Sequence, residues 1–310
     1  MKPFRIISFD GGGIRGALST RILRKLVEKN RTLIYDTNLF AGTSTGAIIA
    51  LCLAFGLSAK RADTLYSYEN LKKIFGRKRL NLFHPKYNNA NLIDIFNQAI
   101  PNNTKLKDLR KYVYVPAFNV LNFKDEFFNN LPNSTNSETK VLDVALSSSA
   151  APTYFPSNNN YIDGGVVSNS PSIASVISVI HNFSPYYDIS DFRVLSIGTG
   201  DNPKSIPYDT RNWGMLKWAF NPLSKVKSPI ASVLLDDTSS LADKYCKELL
   251  GNNYFRINPV LGNQIELDDY KKVNYLIDIA DKYNLDSADS FIKKHFLSSY
   301  MKRKLPNYQL

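Results

Sequence analysis

Sulfur and imidazole are scarce in this 310-residue chain, which holds two cysteines, three methionines and three histidines. Cys52 and Cys246 stand far apart, with no CxxC and no histidine at ligand spacing, so neither a disulfide framework nor a zinc site is expected. A reaction built on imidazole has few candidates. His84 precedes Pro85 in an expected loop, His181 falls on an apolar helix and His295 lies in a basic C-terminal segment, so each reads as structural. Long apolar runs are missing too. The longest uncharged, mostly apolar stretch, Ala47 to Leu57, is about half of the roughly 20 residues that a membrane-spanning helix needs. The opening "MKPFRIISFDGGG" has too short an apolar part for a secretory signal. The expectation is a protein of the cytoplasm, or one held peripherally at a membrane.

Acidic residues are outnumbered, 27 Asp and Glu against 39 Lys and Arg, giving a net charge of +12. That excess attracts polyanions, whether nucleic acid or anionic lipid. Cations gather locally at Lys72, Lys73, Arg77, Lys78 and Arg79, and again at Lys293, Lys294, Lys302, Arg303 and Lys304. Each cluster alone reads as a solvated face. Apolar residues, by contrast, are plentiful at 44%, enough for a sizeable core.

Short apolar runs alternate with helical patterns. Phe4 to Phe9 reads as a buried strand, followed by glycines and a helix with Leu18, Ile22 and Leu26 on one stripe. "NLFAGTSTGAIIALCLAFGL" is a second such unit, its helix apolar on nearly every face and therefore buried. Further strands are expected at Tyr112 to Val120, Arg193 to Ile197 and Tyr254 to Ile257, with "NANLIDIFNQAI" and "SIASVISVIHNF" as helices between them. Phe128 to Lys140 and Pro156 to Tyr161 read as surface loops. This order predicts the α/β class, a three-layer α/β/α arrangement around a mainly parallel sheet, in a single domain spanning 1–310.

Three glycine turns carry the chemistry. In "DGGGIRG", Gly11, Gly13 and Gly16 spell G-x-G-x-x-G between a strand and a helix, the form of a dinucleotide-binding turn, and Asp36 stands where a ribose-binding acid would be sought. An oxidoreductase is therefore one reading, although Asp10 puts a negative charge where the pyrophosphate would lie. In "AGTSTGA", Gly42, Ser44 and Gly46 spell G-x-S-x-G, where small residues on both sides allow a tight turn that lifts the serine hydroxyl clear. In "NYIDGGVVSNSP", Asp163 precedes Gly164 and Gly165; alone, it would read as a hairpin or Asx turn.

Together and in this order the three turns resemble the patatin-like phospholipase family, whose members carry a D-G-G-G-x-R-G turn, a G-x-S-x-G elbow and a late D-G-G or D-G-A. "SSSAAPTYFP" at Ser147 to Pro156, "LSIGTG" at Leu195 to Gly200 and "NWGMLKW" at Asn212 to Trp218 are similar to segments of plant patatins and their bacterial relatives. The likeness becomes indistinct after about Asn284. Ala47 stands where many patatins have a further glycine, a change that suits a helix start. The resemblance implies a lipid acyl hydrolase of phospholipase A type, with Ser44 as nucleophile and Asp163 as its base, and no histidine, metal or cofactor. An idle lipid-binding or storage protein on the same scaffold is the other reading it leaves. It also implies a membrane lipid as substrate rather than nucleic acid, and allows release from the cell as an effector without a signal.

An ordinary aspartate is a weak base at neutral pH, so partial burial of Asp163 is expected to raise its pKa. Attack on an ester creates an oxyanion, for which the amides of Gly11, Gly12 and Gly13, at the start of a helix near Arg15, are the expected donors. Arg15 either covers the sheet edge and pairs with a carboxylate, or helps to fix the glycine loop or attract a lipid phosphate, and the resemblance favours the second. Thr45, Gly42, Gly46, Gly164 and Gly165 support the two later turns. "NWGMLKWAFNPLSKVKSP" mixes Trp213, Trp218 and Phe220 with Lys217, Lys225 and Lys227, as a headgroup-boundary segment would, or equally as a core helix would with its lysines in water.

Overall fold

Strand β1 (Phe4–Phe9) has no polar face: Phe4 and Ile6 join one apolar cluster while Ile7 and Phe9 join another on the opposite side. A strand buried on both faces is central, and the connections that follow from it are crossovers rather than hairpins. The structure, a computed structural model, describes residues 3–79, 83–203, 206, 209–219, 229, 230, 233 and 238–297. From β1 the chain enters α1 (Gly16–Lys29), a short α2 (Leu33–Asp36) and β2 (Leu39–Gly42). Next come α3 (Thr45–Phe55), α4 (Ala59–Leu65), α5 (Tyr68–Phe75) and α6 (Ala90–Asn97). Then follow β3 (Tyr112–Asn119), β4 (Lys124–Asn129), α7 (Val141–Ser148), β5 (Tyr161–Asp163), α8 (Gly165–Ser168), α9 (Ser172–Asn182) and β6 (Phe192–Ile197). Helix Thr238–Leu250 leads to β7 (Tyr254–Ile257), and helices Val273–Lys282 and Asp286–His295 follow.

The sheet runs β4-β3-β2-β1-β6-β7, with β5 paired to β3. Strands β3, β2, β1, β6 and β7 are parallel neighbours, while β4 and β5 are antiparallel to β3. The mainly parallel sheet is as expected, but two strands differ from the sequence reading. Lys124–Asn129, "KDEFFN", carries charge without clean alternation, and Tyr161–Asp163 is only three residues long, so neither shows a strand period. Helices α1 and α3 and the two last helices bury Leu18, Leu51, Leu276 and Ile292 on one side of the sheet. Helix α9 and helix Thr238–Leu250 cover the other with Val176, Val179, Cys246 and Leu250, which completes three layers.

One detail of pairing positions the site. Strand β2 pairs with β3 only along Tyr112–Tyr114, while β5 takes over the same strand at Ala117–Asn119, running the other way. The carboxyl ends of β2 and β5 therefore approach each other along β3, and the residues just past them meet.

Candidate active site

Ser44 sits immediately after β2 at the start of α3, with φ 55° and ψ −119°, a strained backbone for a residue with a side chain. The flanking glycines explain how the turn closes. A Cβ at Gly42 would overlap the Gly46 carbonyl, and one at Gly46 would overlap the Phe9 carbonyl of β1. The Ser44 amide donates to Ser148 Oγ at 3.0 Å, which ties the elbow to the end of α7. Thr45 is buried and bonds the hydroxyl of Tyr66 at 2.6 Å, and that hydroxyl donates in turn to the Thr45 carbonyl at 2.9 Å.

Asp163 ends β5. Its Oδ2 accepts from Ser44 Oγ at 2.7 Å across 119 positions of chain, and its Oδ1 accepts from the Gly165 amide at 2.7 Å. The two glycines after it are constrained: the Gly164 amide donates to the Ser148 carbonyl at 3.2 Å, and a Cβ at Gly164 would overlap the Pro116 carbonyl of β3. With 2% of its surface exposed, Asp163 is buried more deeply than the partial burial expected, because β5 carries it inside beside β3. Burial pushes its carboxyl up to about 6, against the pull of the two hydrogen bonds from Ser44 and Gly165.

The glycine loop after β1 departs from expectation at one residue. Gly11 donates its amide to the Asn169 carbonyl at 2.9 Å, which corrects its assignment as an anion donor. The amides of Gly12 and Gly13 have no hydrogen-bond partner among the described residues, and both glycines line the cavity. Their directions are set by the carbonyls behind them, because N–H and C=O of one trans peptide point opposite ways. The Gly11 carbonyl accepts from Thr199 Oγ1 at 2.9 Å, which turns the Gly12 amide away from that contact. The Gly12 carbonyl accepts from the Arg15 amide at 3.1 Å and from Arg15 Nε at 3.3 Å, which does the same for Gly13. Arg15 is buried, so it sits inside as a brace of the loop rather than on a sheet edge.

Sequence reasoning assigned no role to Asn169, Thr199, Ser148, Tyr66 or Arg256. Asn169 and Thr199 fall inside "VVSNSP" and "LSIGTG", so their segments were visible even though their contacts were not. Arg256 on β7 had no such signal. It donates to Asp10 Oδ2 at 2.6 Å and to Ser196 Oγ at 2.8 Å, a nearly buried ion pair directly behind the glycine loop. Burial opposes the Arg256 charge, but Asp10 outweighs it and holds the guanidinium above its usual range.

The dinucleotide reading loses its acidic residue. Asp36 ends α2, before β2 rather than after it, and the Asn38 amide next to it bonds the Arg5 carbonyl near the start of β1. Because β1 and β2 are parallel, Asp36 lies at the opposite end of the sheet from Gly11 to Gly16. The histidines stand apart as well. His84 and His181 are exposed, and His295 stacks on Phe291 with ring centroids 4.8 Å apart. From the tryptophan segment, Trp213 and Trp218 make an edge contact at 5.4 Å around helix Met215–Ala219, while Phe220, Lys225 and Lys227 lie outside the described residues.

Ser44, Asp163, Gly12 and Gly13 open on a cavity of about 870 Å³, part of it continuous with solvent. Most of its remaining wall is apolar, from Ile48 of α3, Leu71, Ile74 and Phe75 of α5, Leu92, Ile95 and Phe96 of α6, and Phe155. Among the described residues no helix is long and apolar enough to cross a membrane.

A mainly parallel sheet whose strand ends gather a strained serine, a buried carboxylate and a glycine loop around one cavity defines an α/β protein with a hydrolase-type pocket. The chain belongs to the patatin-like phospholipase family, whose model matches residues 7–174. It is 34% identical to Protein teg of Priestia megaterium over 96% of this chain and 100% of that protein. It is 30% identical to a cGAMP-activated phospholipase of Pseudomonas aeruginosa over 82% of this chain and 78% of that protein. Patatin-like protein 4 of Arabidopsis thaliana is 26% identical over 98% of this chain and 86% of that protein.

Proposed function

We propose that the protein is a lipid acyl hydrolase that cleaves fatty-acyl esters of glycerolipids, phospholipids or galactolipids, through a Ser44–Asp163 dyad and an acyl-enzyme. The observation that carries this reading is the 2.7 Å contact of Ser44 Oγ with Asp163 Oδ2, beside two amides without a partner among the described residues at the head of a mostly apolar cavity. Ser44 Oγ attacks the acyl carbonyl and its proton passes to Asp163 Oδ2. The amides of Gly12 and Gly13, at the positive end of α1, hold the oxyanion. Collapse breaks the ester bond, and the leaving alkoxide takes the proton from Asp163. Water then repeats the sequence on the acyl-enzyme: its proton goes to Asp163, its oxygen attacks, and Ser44 Oγ recovers the proton as the fatty acid departs.

The cavity fits this substrate class because an acyl chain buried there gains about 0.8 kcal/mol per methylene, and among the described residues no lysine, arginine or glutamate lines it. Residues from Gly12 to Leu267 contribute to that one cavity, which supports a single catalytic unit over most of 1–310. The complete constellation favours an active enzyme over an idle scaffold. A fluorophosphonate probe is expected to label the wild type and not Ser44→Ala, with ester turnover lost in Asp163→Asn. Full turnover in both variants would overturn the assignment.

A further inference from the structure

The cap over the cavity has two chemically opposite faces. Leu71, Ile74 and Phe75 of α5 and Leu92, Ile95 and Phe96 of α6 face the cavity. Lys72 and Lys73 on the other side of α5, and Arg77, Lys78 and Arg79 just beyond it, are exposed. The two helices are tied to each other and to the described residues between them. Asn91 Nδ2 donates to the Lys73 carbonyl at 2.6 Å, and the Arg79 amide donates to the Lys86 carbonyl at 2.9 Å. Lys86 Nζ lies 3.8 Å from the ring centroid of Tyr154, another residue of the cavity wall.

Between residues 68 and 98 six cations, Lys72, Lys73, Arg77, Lys78, Arg79 and Lys86, face only two acids, Glu69 and Asp94. Elsewhere among the described residues several cations are matched, as in Arg21–Asp281, Lys105–Glu138, Lys282–Asp278 and Lys293–Asp289, and those that are not, such as Lys124, Lys244 and Lys294, do not form a run of five within eight residues. Among the described residues, Lys72, Lys73, Arg77, Lys78 and Arg79 have no ion pair. Beside them Phe83 is 93% exposed. Unpaired cations with an aromatic ring among them suit the headgroup boundary of an anionic bilayer, where the cations meet phosphates and the ring reaches the acyl region.

We propose that this basic outer face, Lys72, Lys73, Arg77, Lys78, Arg79, Phe83 and Lys86, is the surface that docks the protein on anionic phospholipid bilayers. The cap wall of the cavity is thereby laid against the membrane from which the acyl chain must come. The inference rests on the lipid-hydrolase reading but is tested without catalysis.

Sedimentation of Ser44→Ala with vesicles of equal parts phosphatidylglycerol and phosphatidylcholine gives the reference partition coefficient. Replacing Lys72, Lys73, Arg77, Lys78 and Arg79 by Gln in that background is expected to lower it by more than about 100-fold, at roughly five-fold per cation. An equal charge loss elsewhere, at Lys124, Lys244, Lys247, Lys282 and Lys294, is expected to lower it by less than about ten-fold. Thermal melting verifies that both variants are folded, and fluorophosphonate labelling of the same substitutions on a Ser44 background reports the dyad separately. Equal losses in the two variants, or equal binding to pure phosphatidylcholine, would overturn the docking surface while leaving the hydrolase reading intact. Tighter binding to duplex DNA than to the anionic vesicles, lost on the same five substitutions, would overturn the lipid as occupant.

Discussion

At the scale of single residues, Asp163 is tuned by its surroundings. A carboxyl raised to about 6 is a far better proton acceptor near neutrality than a solvated aspartate, while remaining ionised at pH 7. We expect kcat/KM to fall as pH drops through about 6 and to level off above it, measured on a soluble ester whose own ionisation lies elsewhere. The same shift bears on stability. The native state binds this proton more tightly than the unfolded chain, so stability falls as pH rises from about 4 to about 6. A shift of about two units corresponds to roughly 3 kcal/mol. Asp163→Asn is therefore expected to abolish turnover yet unfold at higher urea than the wild type at pH 8, with the difference shrinking towards pH 4.

Thr199 acts through the loop. Its hydroxyl holds the Gly11 carbonyl at 2.9 Å and thereby aims the Gly12 amide. Losing one oxyanion donor outright costs about 10²- to 10³-fold in kcat, and a donor turned aside should cost less. Thr199→Val is expected to lower kcat by about ten-fold or more with KM nearly unchanged, and Thr199→Ser, which keeps the hydroxyl, to restore most of it. A purely structural role would not separate kcat from KM in this way.

At the scale of elements, the site depends on strand ends being locked together. The pair Asp10–Arg256, 2.6 Å apart and only 3% and 10% exposed at the side chains, joins the end of β1 to β7 across Ser196 of β6. Removing one member of a buried pair leaves the other charge uncompensated, at about 3 to 5 kcal/mol. Arg256→Met should lower the urea midpoint accordingly, and adding Asp10→Asn should recover a large part of the loss. Recovery would trace the damage to the stranded charge rather than to lost packing of the arginine stem.

Some elements were legible in the sequence because one period dominated them. The β1 run, the α3 run and α9 are apolar over whole faces, and the structure places all three where the pattern puts them. The short β4 and β5 were not, since their residues pair for tertiary reasons and carry no period of their own. Among the residues, Ser44 and Asp163 announced themselves through glycines that a tight turn requires. Asn169, Thr199 and Arg256 act through contacts with residues 158, 188 and 246 positions away, and a contact at such range leaves no local trace.

At the scale of the whole molecule, the cavity joins both ends of the chain: Gly12 and Ser44 from the first strands, Leu267 from after the last. Leu267 lines it and its carbonyl accepts the Ile14 amide at 3.0 Å, so the segment after β7 closes on the glycine loop. The apolar wall sets the substrate scale. Across a series of monomeric esters of increasing acyl length, kcat/KM should rise about four-fold per methylene, the equivalent of 0.8 kcal/mol, and level off once the cavity is full. Ester hydrolysis by chain-length series, with each substrate kept below its micelle threshold, checks this directly.

By itself the sequence determined the layered α/β order and the two turns that present a serine and an aspartate, since turn chemistry and periodicity are local. Tertiary structure decided that those two turns touch, through a β5 that runs head-on to β2 along β3. It also decided that the Gly11 amide is taken by Asn169 while those of Gly12 and Gly13 have no partner among the described residues, and that Asp163 is buried. Burial, and the direction of a peptide group, depend on what the rest of the chain brings alongside.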